Sequence, residues 1–348
     1  MIPTARSTLR LGTRRSALAT TQSRWVADRL AFPAELVTVT TEGDVSTAPL
    51  ASLGGTGVFV TALRAALLTG EVDLAVHSLK DLPTAPEPGI VVAAVPRRED
   101  PRDVLVARDG LTLDRLPHGA RVGTGSPRRA AQLRAVRPDL DVVGVRGNVD
   151  TRLRFVADGA LDAVVLALAG LARLSRDDEA TDVFGPETML PAPGQGALAV
   201  ECRADDGPLV DLLAQLDDAA TRLAVTAERR LLRTLEAGCA APLGALARVD
   251  ATTGELTLDS VAASPDGRRV LRARAATRIG GGPVDDRPAD ADSLTAAERL
   301  GDAVARRLLA DGAADLISAP DHISDHISDH ISDHSSTAST IVPREGDQ

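Results

Sequence analysis

The sequence predicts an α/β protein: two doubly wound lobes joined by two hinge crossings, plus a small α+β third domain. Three observations predict it. From Leu9 to Leu174, short apolar or β-branched runs alternate with segments of helical length, the pattern of strands joined by helical crossovers. Two proline-rich stretches interrupt that pattern, Pro96–Asp103 and Leu190–Gly196, and read as hinges. Beyond them an arginine-rich amphipathic helix leads into three strand-like runs and a last helix. The expected divisions are residues 1–96 with 197–216, residues 101–192, residues 219–318, and a low-complexity tail at 319–348.

The elements follow in order. Leu9–Gly12 is a strand, and Ser16 caps a helix running to about Leu30. Leu36–Thr40 alternates and is β-branched, a second strand. Gly54, Gly55 and Gly57 precede a helix over Thr61–Leu68; their cluster fits an ordinary turn as well as a lid. Val72–Val76 is an apolar strand ending in His77-Ser78-Leu79-Lys80-Asp81. Polar groups just past a strand's carboxyl end are where open α/β sheets place their sites, although a solvated loop with an ion pair fits the same residues. Strands recur at Ile90–Val95, Val104–Ala107, Arg121–Gly123, Asp141–Val145 and Ala163–Leu168, with helices at Arg128–Val136, Val149–Ala157 and Leu171–Leu174. Ala197–Glu201 is a strand expected to return to the first lobe's sheet. A helix over Thr221–Glu236, strands near 243–250, 255–262 and 268–278, and a helix near 293–311 complete the third domain.

The stretch Arg121–Arg154 carries eight arginines against three aspartates in a chain of net charge −10. A basic cluster in an acidic chain suggests a site for a small anion. Ser126-Pro127 and Asn148-Val149 both read as helix starts, with Arg128 and Arg129 in the first turn of one helix. Cations there oppose the helix dipole by about 0.3–1 kcal/mol each. Two helix N-termini with nearby guanidinium groups would suit carboxylates or phosphates; a solvated basic surface is the plainer reading.

Composition excludes several classes. Hydrophobic content of 44% and charged content of 25% fit a globular protein of 348 residues with real cores. An acidic chain with no Tyr, four Phe and one Trp is a poor nucleic-acid partner. Lys80 is the only lysine, and Asp81 follows it, so there is no phosphate-binding P-loop. The N-terminal stretch has no apolar core of a signal peptide, and no apolar run spans a membrane. Cys202 and Cys239 form neither a disulfide framework nor a metal pair, so a cytoplasmic location is expected, with no metal. The tail Asp321–His334 repeats D-H-I-S. Histidine at every fourth position would line one helical face and suit a divalent cation, but Ser and Asp support a helix poorly, and a solvated tail is the better reading.

Nine stretches carry a resemblance: RLGTRRSALA, TEGDV, GGTGVFV, AVHSLKDLP, REDPRD, VGTGSPRR, RGNVDTR, LPAPGQGALAVECR and EAGCAAPLG, in this order from Arg10 to Gly244. Together they resemble the porphobilinogen deaminase (hydroxymethylbilane synthase) family. The resemblance implies a transferase that condenses four porphobilinogen molecules head to tail, releasing ammonia at each addition, into linear hydroxymethylbilane. It implies a dipyrromethane primer bound by thioether to Cys239 and a catalytic carboxylate at Asp81. Lys80, Arg128, Arg129 and Arg152 match cofactor-binding positions, with Thr124 and Ser126 as polar neighbours. Arg14, Ser16, Arg146, Arg173 and Gln195 match substrate-binding positions. A cytoplasmic monomer that hands its product to the next tetrapyrrole enzyme is also implied, with no nucleic acid or membrane partner. The chain departs from the family at Ser52 and Thr56, where lysines are common, at Glu42, where a basic residue is common, and at Gly125, where serine is frequent. Two rivals remain at this level: a solute-binding protein, which shares the two-lobe plan, and a lyase using Lys80 as a Schiff base.

Overall fold

The computed structural model describes residues 7–40, 57–237, 241–279 and 289–317. Cys239, the Gly-rich stretch with Ser52 and Thr56, Glu42 and the D-H-I-S tail lie outside the described residues.

The first sheet has the order β2-β1-β3-β10-β4. It is built from β1 (Leu9–Thr13), β2 (Ala34–Thr38), β3 (Leu74–Ser78), β4 (Ile90–Ala94) and β10 (Leu198–Arg203). The strands β1, β2 and β3 are parallel, and β10 returns from the second crossing to lie antiparallel between β3 and β4. Helices cover both faces. Leu9, Leu11, Leu74 and Val200 pack with Val26 of α1 (Ala17–Ala27) and Leu209 of α6 (Gly207–Ala214). Val72 and Ala75 pack with Leu63 and Leu67 of α2 (Gly57–Leu68). Successive strand residues point to opposite faces, so an apolar run such as Leu74-Ala75-Val76 feeds both cores. Ser16 caps α1 as its sequence position predicts, accepting from the Ala19 amide at 3.3 Å.

The second sheet has the order β7-β6-β8-β5-β9. Its strands are β5 (Asp103–Ala107), β6 (Arg121–Gly123), β7 (Asp141–Val143), β8 (Ala163–Ala167) and β9 (Asp182–Val183). The strands β6, β7 and β8 are parallel, while β5 runs antiparallel to β8 and β9. Leu105, Val122 and Val165 face Leu133 of α3 (Pro127–Val136). Val104, Val106, Val164 and Leu166 face Leu153 and Val156 of α4 (Val149–Ala157) and Leu171 of α5 (Leu168–Arg173). Asn148 caps α4 through its side chain, which accepts from Thr151 N at 2.9 Å. Ser126 makes no such bond to α3; instead its amide donates to the Thr124 hydroxyl at 3.2 Å.

The third sheet is a meander of β11 (Leu243–Asp250), β12 (Glu255–Ala263) and β13 (Val270–Arg278). Its apolar face packs on α7 (Ala219–Thr234) and α8 (Ala291–Ala310), through Leu223, Ala227 and Leu231 on one helix and Leu300, Val304 and Leu308 on the other. The short α9 (Ala313–Ile317) closes the core with Ala313. The third domain is fastened to the crossings by one buried acid. Glu228 of α7 accepts from both terminal nitrogens of Arg98 (2.7 and 3.1 Å), from Gly194 N (2.6 Å) and from Ala247 N (2.8 Å). One carboxylate thus ties the first crossing, the second crossing and β11 together.

Candidate active site

Topology gathers the candidate residues. Arg14 and Ser16 follow β1, and Lys80 and Asp81 follow β3, two parallel strands that end on the same side of the first sheet. Thr124, Ser126, Arg128 and Arg129 follow β6, Arg146 follows β7, and Arg173 lies beyond β8 at the end of α5. All of them sit past the carboxyl ends of parallel strands, where doubly wound sheets bind ligands.

Lys80 and Asp81 lie in a tight 3₁₀ turn, Leu79–Asp81, that starts where β3 ends. Leu79 and Leu82 anchor the turn in an apolar seam with Val95 and Val225, and Leu79 N donates to Ala197 O at 3.0 Å. The second crossing presses against it. Gly194 has φ +75°, and a Cβ there would lie 3.3 Å from Lys80 N. Gly196, at φ +86°, would place a Cβ 2.5 Å from Glu99 O of the first crossing. Glycine is required at both positions by backbone conformation and by close approach.

The centre of the site is a residue that the sequence pattern did not single out. Asp103 opens β5, is fully buried, and accepts from Arg128 Nη1 (2.7 Å), from Arg129 Nε and Nη2 (3.0 and 2.8 Å) and from Gln195 Nε2 (2.9 Å). Arg128 also donates to Leu190 O at 2.7 Å, and Arg129 to Val165 O at 3.0 Å. The two arginines that oppose the dipole of α3 are therefore held by a buried counter-ion, which explains why the helix tolerates them. Burial alone would push the Asp103 carboxyl up; Arg128 and Arg129 overcome that and hold it far below the usual carboxylate range. Gln195 bridges onward: it donates to Pro101 O at 2.7 Å and accepts from Lys80 Nζ at 3.4 Å. A chain of contacts thus runs from Lys80 of the first lobe, through the second crossing, to Arg128 and Arg129 of the second lobe.

Several of these cations stand in surroundings that disfavour their charge. Burial lowers Lys80 to about 8; Asp81 and Asp103 oppose the shift, while Arg129 and Arg128 add to it. Burial, with Arg129 nearby, lowers Arg152 to about 10. Arg173 is lowered by burial against the pull of Glu99, and donates to Gly196 O at 2.7 Å. Arg128 is lowered by burial too, and its buried Nε has no hydrogen-bond partner. A cluster in which cations outnumber carboxylates, with an orphaned guanidinium N–H, has the donor set that an oligo-carboxylate ligand needs. On these grounds the residues fit a dipyrromethane carrying acetate and propionate side chains.

The remaining candidates sit around this network. Thr124 is buried, and its backbone pairs with Val143 O and Val145 N. The Ser16 hydroxyl accepts the α1 cap bond, which leaves its O–H to donate, and Arg146 is exposed in the loop before α4. Arg152 donates to Gly147 O at 3.0 Å. Among the described residues no cluster of His, Cys, Asp and Glu suits a metal ion, and no helix is long and apolar enough to cross a membrane.

Comparison with known proteins follows the same lines. A family model described as "Porphobilinogen deaminase, dipyromethane cofactor binding domain" matches residues 9–211, and the model of that enzyme's C-terminal domain matches residues 222–310. The chain is 55% identical over 330 residues to the porphobilinogen deaminase of Cutibacterium acnes, covering 89% of this chain and 97% of that one. It is 56% identical over 320 residues to porphobilinogen deaminase 1 of Streptomyces coelicolor, with the same coverage. Among solved structures it is similar to the methionine-binding protein MetQ, at 14% identity and a TM-score of 0.39, covering 60% of this chain and 89% of that one. The two family models together match residues 9–211 and 222–310, these relatives are covered over 97% of their length, and the chain belongs to the porphobilinogen deaminase family.

Proposed function

We propose a division of labour among this chain's residues for the reaction of its family, the condensation of four porphobilinogen molecules into hydroxymethylbilane. Lys80, Arg128, Arg129 and Arg152 bind carboxylates of the dipyrromethane, with Thr124 and Ser126 as polar neighbours. Arg14, Ser16, Arg146, Arg173 and Gln195 receive the incoming porphobilinogen. Arginine suits this task because its planar fork binds a carboxylate bidentately and so fixes the plane of the attached pyrrole. When bound through Cys239, the dipyrromethane supplies a nucleophilic pyrrole end on which the product is built.

Asp81 is the catalytic carboxylate. Porphobilinogen loses its amine as ammonia: the aminomethyl group is an ammonium at neutral pH, so the nitrogen leaves with its own protons and the methylene-pyrrole centre becomes electron-poor. The Asp81 carboxylate stabilises that cation. It then takes the proton from the attacking pyrrole carbon and passes it to the released ammonia. Lys80, held next to it, keeps a positive charge at neutral pH despite its lowered value, and orients a carboxylate beside the reacting centre.

The observation that carries the reading is the Lys80–Gln195–Asp103–Arg128/Arg129 chain of contacts, which joins the Asp81 turn to the arginine cluster across the lobes. The resemblance supports a cytoplasmic monomer that passes its product to the next tetrapyrrole enzyme. The test is Asp81→Asn: turnover should fall by about 10²–10³ while the protein folds and keeps its primer by mass. Near-normal turnover would remove Asp81 from the mechanism.

A further inference from the structure

The Leu79–Asp81 turn is also held by the third domain. Arg229 of α7 donates from Nη1 to the carbonyls of Leu79 (3.3 Å) and Leu82 (3.0 Å), and from Nη2 to that of Pro83 (2.6 Å). These carbonyls bracket Lys80 and Asp81 along the chain. A half-open groove of about 190 Å³ runs between the first lobe and α7, lined in part by Leu79, Thr84, Val95 and Arg229. Leu79 and Leu82 fix the ends of the turn by burial, and Leu79 N holds its start to Ala197 O, but apolar burial is non-directional and leaves the carbonyls at its far end without a fixed direction. Hydrogen bonds to three carbonyls set that direction, and with it the way the Lys80 and Asp81 side chains leave the backbone.

We propose that Arg229 is a positioning residue for the reaction, acting through the carbonyls of Leu79, Leu82 and Pro83 to aim Asp81 and Lys80; this rests on the assignment of Asp81 above. Only arginine meets the geometry, because a planar fork reaches three acceptors that a single ammonium cannot span. The placement has a second consequence. The helix that carries Arg229 ends at Thr234, five positions before Cys239 in the sequence. One rigid element therefore sets both the aim of the catalytic turn and the start of the segment that bears the cofactor.

Because Lys80 is the only lysine, protein grown on lysine labelled with ¹³C at Cε gives one side-chain resonance, whose titration reports the surroundings of the turn. In primed Arg229→Gln we expect kcat to fall about tenfold to a hundredfold, with KM within about twofold and the primer intact by mass. The Lys80 midpoint should move relative to the wild-type protein measured alongside. Arg229→Lys, which keeps charge and stem but not the fork, should lose kcat in the same direction at near-normal thermal stability; it serves if the glutamine variant folds poorly. Unchanged kcat, or a kcat loss fully explained by lost folded or primed protein with the Lys80 midpoint unmoved, would overturn the proposal. The resonance is read without turnover, so a failure of the Asp81 assignment would show separately, as an active Asp81→Asn enzyme.

Discussion

At the scale of single residues, charge is arranged in the site by burial first and partners second. Asp103 is the clearest case: one buried carboxylate holds two buried guanidinium groups and the Gln195 amide. Removing a partner from such a set costs more than the set contributes, because an uncompensated charge stays behind. Asp103→Asn should therefore lower unfolding stability by about 3–5 kcal/mol, read by urea titration. It should also flatten the acid limb of the stability profile. The folded carboxyl lies well below the unfolded value of about 3.9, so its stabilisation is present above that pH and is lost as the pH falls below it. A variant as stable as the parent at neutral pH would show that Arg128 and Arg129 do not depend on it. Asp103 was not legible as a site residue from local sequence. It sits in the charged run Pro96–Asp103, which reads as a hinge, and nothing local distinguishes a buried acid from a solvated one. The arginines in the first turn of a helix gave the only signal, since they imply a counter-ion elsewhere in the chain.

At the scale of elements, the third domain and α4 were legible almost to the residue. The strands β2 and β3 were displaced by two residues (Ala34–Thr38 for Leu36–Thr40, Leu74–Ser78 for Val72–Val76), α1 ends at Ala27 instead of near Leu30, and α2 begins at Gly57 instead of Thr61. The third-domain meander and the helix α4 fall where alternation and the Asn148 cap place them. What escaped was short or set by partners. The two-residue β9 exists because β5 offers it an edge, and α6, only eight residues long, is shaped by packing Leu209 and Leu213 against the first sheet. The antiparallel direction of β5 is decided by where the first crossing enters the second sheet, which periodicity does not encode. The turn that carries Lys80 and Asp81 was legible as a candidate from its place after a strand, but the contacts that hold it were not, because they come from the second crossing and α7. Gly194→Ala tests the contact with the crossing. A Cβ at φ +75° is strained wherever there is space, and here it meets Lys80 N at 3.3 Å. The variant should lose about 1–2 kcal/mol of stability and a larger share of kcat than of substrate affinity. Unaltered kinetics would mean that the crossing does not brace the turn.

At the scale of the whole molecule, a contact chain through Gln195 joins the cations of the two lobes, and the third domain holds the Leu79–Asp81 turn through Arg229 and leads on in sequence to Cys239. In the mechanism proposed, a dipyrromethane attached at Cys239 primes the synthesis. The alternative thiol is a poor one: Cys202 is buried in β10, and burial pushes it up to about 12, so it stays protonated at neutral pH. The most direct measurement is the intact mass of the purified, denatured protein, followed by peptide mapping. The protein should be heavier than its sequence by two condensed pyrrole units, with the excess surviving denaturation and located on the peptide containing Cys239. Cys239→Ser should lack the excess, and Cys202→Ser should keep it. An unmodified protein that still makes hydroxymethylbilane from porphobilinogen, or an excess located on Cys202, would contradict the account.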